Sequence, residues 1–260
     1  MARPTRTATS PIPAADATLS LLAATYLAPC NRPLYEFVAK ECGADELIDG
    51  GAWRELERGA IDIAFICSPP VTWLGAGVEA IAAPVLTDQR FGGKPLYCSE
   101  VIVHRDSSFQ SLEDLRGSRW AINESSSWSG FWVTLQRVGS WDFFGEVIEA
   151  GFHEKALRMV AHGEIDGAAI DCHVLSVVRR LHPKLVERVR VVETLGPAPS
   201  QPVVVRAGLD PEVKARIRDR LLELRDPSMN EYGVERFAPA PDYSQVAAVV
   251  GFGPATNDWR

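Results

Sequence analysis

Apolar residues along the chain fall into two alternating patterns. Short continuous runs, such as 61–66 (broken only by Asp62) and 78–86, read as buried strands. Between them, apolar positions recur three and four apart, as Leu34, Phe37 and Val38 do, and read as helices with one buried face. The pattern predicts strands over 18–26, 61–66, 78–86 and 97–103, with helices over 33–42 and 53–58 and a helical turn at 112–115. Strands at 119–123, 146–149, 166–171 and 188–194 then alternate with helices at 128–138, 153–162 and 174–182. A strand at 203–206 precedes a helix capped by Asp210, with Pro211 at its first position, that ends near Leu224. Residues 1–16, rich in Pro, Thr, Ala and Arg, read as a disordered tail.

Strands alternating with helices predict an α/β fold. The block 105–195 carries a complete strand–helix run, whereas 17–98 and 203–260 each look incomplete. A lobe inserted within another explains this. Lobe 1 is then 17–98 plus 203–260 and lobe 2 is 99–202, with hinges at 98–104 and at the proline-spaced 195–203. Ligands of such folds sit in the cleft between lobes.

One stretch stands out chemically: Asn123-Glu124-Ser125-Ser126-Ser127-Trp128-Ser129-Gly130, at a predicted strand-to-helix junction. Hydroxyl residues there cap the helix, and a single Ser would suffice. Four of them add O–H donors to the exposed N–H groups at the positive end of the helix, which makes an anion site without Lys or Arg. Cys67-Ser68 follows the 61–66 strand, and the carboxyl ends of parallel strands face the ligand crevice, so this turn is expected in the cleft or packed beneath it. A carboxylate aimed at a bound anion repels it, so Glu124 either faces away or protonates there, and the expectation is that it points to solvent.

Composition narrows the classes. The 260 residues carry 27 Lys+Arg against 34 Asp+Glu, a formal charge of −7, with no basic run, which argues against nucleic acid as a partner. No apolar run approaches the roughly 20 residues of a membrane-spanning helix. The five cysteines form no C-x-x-C pair and no His/Cys pair has ligand spacing, so neither a disulfide framework, a metal nor a cofactor is expected. The first residues show no apolar leader, so a cytoplasmic location is expected as the chain stands, and a periplasmic one if a leader precedes it.

Ser111-Leu-Glu-Asp-Leu-Arg-Gly117, Trp120-Ala-Ile-Asn-Glu124 and Ser127-Trp-Ser-Gly130 together resemble the phosphate/phosphite/phosphonate-binding proteins of ABC transporters. The resemblance continues through Ala150-Gly-Phe-His153, Ala161-His-Gly-Glu-Ile-Asp166, Ala168-Ala-Ile-Asp171 and Gly196-Pro-Ala-Pro-Ser-Gln-Pro202. It implies a type II periplasmic-binding-protein fold, with two mixed sheets flanked by helices and a hinge between lobes. It further implies an oxyanion held by Ser127, Trp128, Ser129 and Gly130, with Tyr97 and His153 converging on it and Asp171 and His173 reading the rest of the ligand. Trp128 stands where the family usually has Thr, and Gln201 where amine-gripping members often carry an acid. The implied function is non-catalytic binding of a small oxyanion-bearing ligand by a monomer, as transporter component with a permease partner or as cytosolic sensor. The rival is a cytosolic enzyme on the same fold acting on a carboxylated substrate, with His153, Asp171 and His173 as candidate acids or bases. A Ser127/His153/Asp171 hydrolase can also be drawn, though no G-x-S-x-G elbow is present.

Overall fold

The computed structural model describes residues 20–51 and 54–251. The expected tail, the first residues of the 18–26 strand and Trp53 lie outside them. Eleven strands among the described residues form two sheets. The first contains β1 (Leu22–Thr25), β2 (Glu46–Asp49), β3 (Ile63–Phe65), β4 (Val78–Leu86), β10 (Val203–Arg206) and β11 (Val234–Pro239), in the order β11-β4-β10-β3-β1-β2. The second contains β5 (Leu96–His104), β6 (Arg119–Ile122), β7 (Glu146–Glu149), β8 (Gly167–Asp171) and β9 (Val189–Pro199), in the order β7-β6-β8-β5-β9.

Both sheets are mixed. In the first, β1 runs parallel to β2 and β3, whereas β10 is antiparallel to β3 and β4. In the second, β6 is parallel to β7 and β8, whereas β5 is antiparallel to β8 and β9. The central strands are fully buried on both faces, as the continuous apolar runs predict. Amphipathic helices cover them, among them Arg32–Glu41 in lobe 1 and His153–Ala161 and Cys172–Leu181 in lobe 2. Trp120 on β6 is fully buried and stacks on Phe144 with ring centroids 4.5 Å apart, anchoring the lobe 2 core.

The strand assignments move one predicted hinge. Residues 98–104 belong to β5, with 99–103 paired to a neighbouring strand on both sides within the second sheet, and a strand so held cannot act as a flexible crossing. The chain instead crosses between β4 and β5, over 87–95, and returns between β9 and β10, at 200–202. The expected lobe 1 boundary at residue 98 therefore cuts through β5, which belongs wholly to lobe 2. The return crossing is held from several sides. Ser200 Oγ donates to the Pro84 carbonyl at 2.7 Å, Ser200 N donates to the Pro95 carbonyl at 3.0 Å, and Tyr243 Oη donates to the Ser200 carbonyl at 2.7 Å. No helix among the described residues is long and apolar enough to cross a membrane.

Candidate functional site

Five parallel strands, two from the first sheet and three from the second, aim their carboxyl ends at one crevice. Tyr26 and Leu27 follow β1, Cys67 follows β3, Asn123 to Ser129 follow β6, Gly151 to His153 follow β7, and Asp171 ends β8. Apart from Ser125, Ser126 and Trp128, these residues line one interlobe cavity of about 40 Å³, and Asn31, Tyr35, His173 and Gln201 add to its wall. At roughly 10–15 Å³ per water, that space suits a headgroup of a few heavy atoms. No Lys or Arg lines it.

The Ser-rich junction builds the lobe 2 wall. Ser127 is the N-cap, and its hydroxyl oxygen accepts from Gly130 N at 3.1 Å. Because that bond uses a lone pair, the Ser127 O–H proton stays available to the cavity. The first turn, Trp128–Trp132, is wider than an α-turn: the Ser127 carbonyl accepts from both Phe131 N (3.3 Å) and Trp132 N (3.2 Å). Ser129 Oγ lies 2.9 Å from His153 Nε2 and 3.5 Å from Ser127 Oγ, so hydroxyls and imidazole form one connected set. Ser99 Oγ holds the turn from behind by donating to the Ser129 carbonyl at 2.6 Å. Gly130 is required by space: a Cβ there would lie 1.9 Å from Asn123 Oδ1 and 3.1 Å from His153 Cε1.

Electrostatics keep this wall neutral rather than cationic. Desolvation lowers the His153 pKa against the pull of Asp171 and Glu154, and its Nδ1, near the Ala169 carbonyl, completes no hydrogen bond of normal geometry. His173 is likewise lowered by burial, with Asp171 opposing. Its Nε2 meets the Tyr232 carbonyl at 2.5 Å, a contact between lobes. Asp171 is engaged structurally: Oδ1 accepts from His173 N at 2.7 Å and Val174 N at 3.4 Å, capping the next helix, while Oδ2 accepts from Gln201 Nε2. Glu124 lines the cavity instead of pointing to solvent, and desolvation raises its pKa, which answers the repulsion that placed it outward in the sequence reading.

Of the ten residues expected at the site, Cys67, Ser127, Ser129, His153, Asp171 and His173 line the cavity. Tyr97, Ser68, Trp128 and Gly130 do not. Tyr97 and Ser68 are fully buried behind the wall, and burial pushes the Tyr97 hydroxyl well above its usual pKa. Trp128 turns its ring into the core and gives its backbone N–H to Cys67 Sγ at 3.4 Å, linking the lobes. Tyr26, Asn31 and Tyr35 were missed; they come from lobe 1 segments with no local chemical signature. Among the described residues no cluster of His, Cys, Asp and Glu could hold a metal ion.

A family profile described as ABC transporter, phosphonate, periplasmic substrate-binding protein matches residues 50–246. The phosphonates-binding periplasmic protein of Escherichia coli (strain K12) is 27% identical over 158 residues, covering 57% of this chain and 46% of the relative. The chain thus spans about half the length of that curated relative. PhnD1 of Prochlorococcus marinus (MIT 9301), solved in complex with methylphosphonate, is similar with a TM-score of 0.74 and 14% identity, over 89% of this chain and 96% of that one. A binding protein component of an ABC phosphonate transporter from Pseudomonas aeruginosa is similar with a TM-score of 0.72 and 18% identity, over 86% and 82% of the two chains. At these identities the solved structures establish the type II periplasmic-binding-protein-like fold.

Proposed function

The chain belongs to the family of periplasmic substrate-binding proteins of phosphonate ABC transporters, and we propose on that premise that it binds a small phosphonate-type oxyanion between its lobes and delivers it, unchanged, to a permease in the periplasm. One observation carries the reading. Ser127, Ser129 and His153 form a connected, buried set of neutral donors at a helix start, in a cavity sized for a headgroup. Neutral donors at the positive end of a helix hold an anion without the cost of burying a cation. The cavity volume favours a compact tetrahedral group with little attached over a ligand carrying a large appendage.

The rival enzymatic reading loses two of its three residues. Asp171 caps a helix and is bonded to Gln201, and His173 Nε2 is bonded to the Tyr232 carbonyl, so neither stands free to move a proton. The drawn hydrolase triad also fails on geometry, because His153 bonds Ser129 rather than Ser127 and Asp171 bonds neither ring nitrogen.

Calorimetry of the purified chain against methylphosphonate, phosphite, phosphate and methanesulfonate tests the proposal. Saturable heat is expected with at least one phosphorus oxyanion, and Ser127→Ala/Ser129→Ala should weaken it by at least tenfold, consistent with losing two hydrogen bonds to a charged group. Absence of heat with all four, or binding untouched by the double substitution, overturns it.

A further inference from the structure

Two of the five cysteines face one another directly behind the ligand wall. β5 and β8 pair antiparallel with Ser99 opposite Asp171 as the last pair of the ladder, and the next residue on each side, Cys98 and Cys172 at the start of the following helix, falls beside the other. Residues directly opposite in such a ladder lie roughly 4.5–5.5 Å apart between Cα atoms, within the roughly 4.4–6.8 Å that a disulfide spans. The Cys172 sulfur already reaches Cys98: the Cys98 backbone N–H donates to Cys172 Sγ at 3.3 Å, and both residues are buried. We propose that Cys98 and Cys172 are a redox pair that closes to a disulfide, pinning the end of β8 to β5 beneath the pocket.

The location gives the bond a structural purpose. Cys172 lies between Asp171 and His173, which both line the cavity, and Cys98 follows Tyr97, which backs it. The remaining cysteines are placed differently. Cys67 Sγ accepts the Trp128 N–H from the other lobe, and Cys30 and Cys42 sit on or beside the Arg32–Glu41 helix of lobe 1. Hydrogen bonding with Cys98, then burial, holds the Cys172 thiol far above its usual pKa. The closed native pair is therefore slow to exchange, and the bond forms while the chain folds, before β5 and β8 seal.

The oxidant is a low-molecular-weight or protein disulfide, R–S–S–R. The Cys98 thiolate attacks one of its sulfurs, forming a Cys98–S–S–R mixed disulfide and expelling one thiolate. The Cys172 thiolate then attacks the Cys98 sulfur and expels the second. Two cysteine thiols are oxidised, one external disulfide is reduced to two R–SH, and the two cysteine protons end on those leaving thiols.

The test is independent of any ligand. The full chain is reduced, unfolded, refolded with oxidised and reduced glutathione, then denatured with N-ethylmaleimide and analysed by mass spectrometry. Alkylation of three of the five cysteines and a linked Cys98–Cys172 peptide are expected. In Cys98→Ser and Cys172→Ser the freed partner should become alkylated. The bond would close a loop across 74 positions, so reductant should lower the melting temperature by roughly 10 °C. The Cys98→Ala/Cys172→Ala chain should show no such shift. Alkylation of all five cysteines, a bridge through Cys30, Cys42 or Cys67, or a bridge whose reduction leaves the melting temperature unchanged overturns the proposal.

Discussion

The two walls of the cavity are built from different chemistry. Lobe 2 presents Ser127, Ser129 and His153, linked through Ser129 Oγ, which lies 2.9 Å from His153 Nε2 and 3.5 Å from Ser127 Oγ, with Asn123 beside them. Lobe 1 presents Tyr26, Leu27, Ala28, Tyr35 and Cys67, which are rings, small apolar groups and a thiol, with Asn31 adding one amide. Tyr35 is buried and stacks on Phe65 at 4.9 Å, so its position is set by the lobe 1 core and not by the cavity. Under the proposed function the contrast divides the tasks: lobe 2 would recognise charge by preorganised donors, and lobe 1 would limit size by packing. Polar bonds that cross between the lobes include Trp128 N to Cys67 Sγ at 3.4 Å, Cys30 N to Glu154 Oε1 at 2.9 Å and His173 Nε2 to the Tyr232 carbonyl at 2.5 Å.

The harshest way to break the comparison is Gly130→Ala in lobe 2. The added methyl would sit 1.9 Å from Asn123 Oδ1 and must displace both Asn123 and His153. Overpacking of this kind costs about 1–3 kcal/mol of stability, and displacing a donor set by an ångström costs more in binding than in folding. Loss of affinity by about a hundredfold or more is expected by calorimetry, with a melting point that falls but a chain that still folds. Retained affinity would show that lobe 2 preorganisation is not what binds.

Ser129→Ala is the next step down. It strips His153 Nε2 of its partner, and since Nδ1 completes no bond either, a buried imidazole is left unsatisfied. The expected cost is about 1–3 kcal/mol in denaturant unfolding, accompanied by weaker oxyanion binding. Cys67→Ala on the other wall should cost less. It removes one weak sulfur acceptor, so about 1 kcal/mol or below is expected, with affinity changed severalfold at most. If Cys67→Ala proves the more damaging of the two for binding, the division of tasks between lobes is wrong.

The same asymmetry explains how much of the site could be read from the sequence. The lobe 2 wall is contiguous in the chain, so the Ser-rich helix start announced itself locally. The lobe 1 wall is assembled by the tertiary fold, and nothing near Tyr26, Asn31 or Tyr35 marks them as cavity residues. The fold behaved similarly. Buried central strands left continuous apolar runs, whereas β2 (Glu46–Asp49), an edge strand with acidic ends, left no pattern to read, and β11 (Val234–Pro239) also escaped. Ser68–Leu74 reads as a turn because of Pro69-Pro70, yet prolines in a first turn are compatible with a helix, since the N–H groups they lack have no intrahelical partner there. β9 runs on through Pro197 and Pro199, past the predicted end at 194, because it is an edge strand on which a missing N–H need not break the ladder.

The mildest expected effect, and the sharpest on the comparison, is in the acid range. His153 and His173 both belong to lobe 2, and burial depresses both pKa values below that of a free imidazole, about 6.5. Between the depressed values and about 6.5 the unfolded chain binds more protons than the folded one, so stability falls as pH falls through that window and levels off below it. Glu124 acts with the opposite sign: its raised pKa adds stability as pH falls toward the ordinary carboxylate range. The lobe 1 groups facing the cavity contribute nothing there, since burial pushes Tyr26 and Cys67 up to about 12 and their effect is confined to alkali. Melting temperatures from pH 8 to pH 5 should therefore decline more steeply in the native chain than in His153→Gln or His173→Gln, each of which removes one of the two contributions. Tyr26→Phe should leave the acid limb unchanged. An acid limb that survives both histidine substitutions would place the sensitivity outside lobe 2 and remove the electrostatic half of the contrast between the walls.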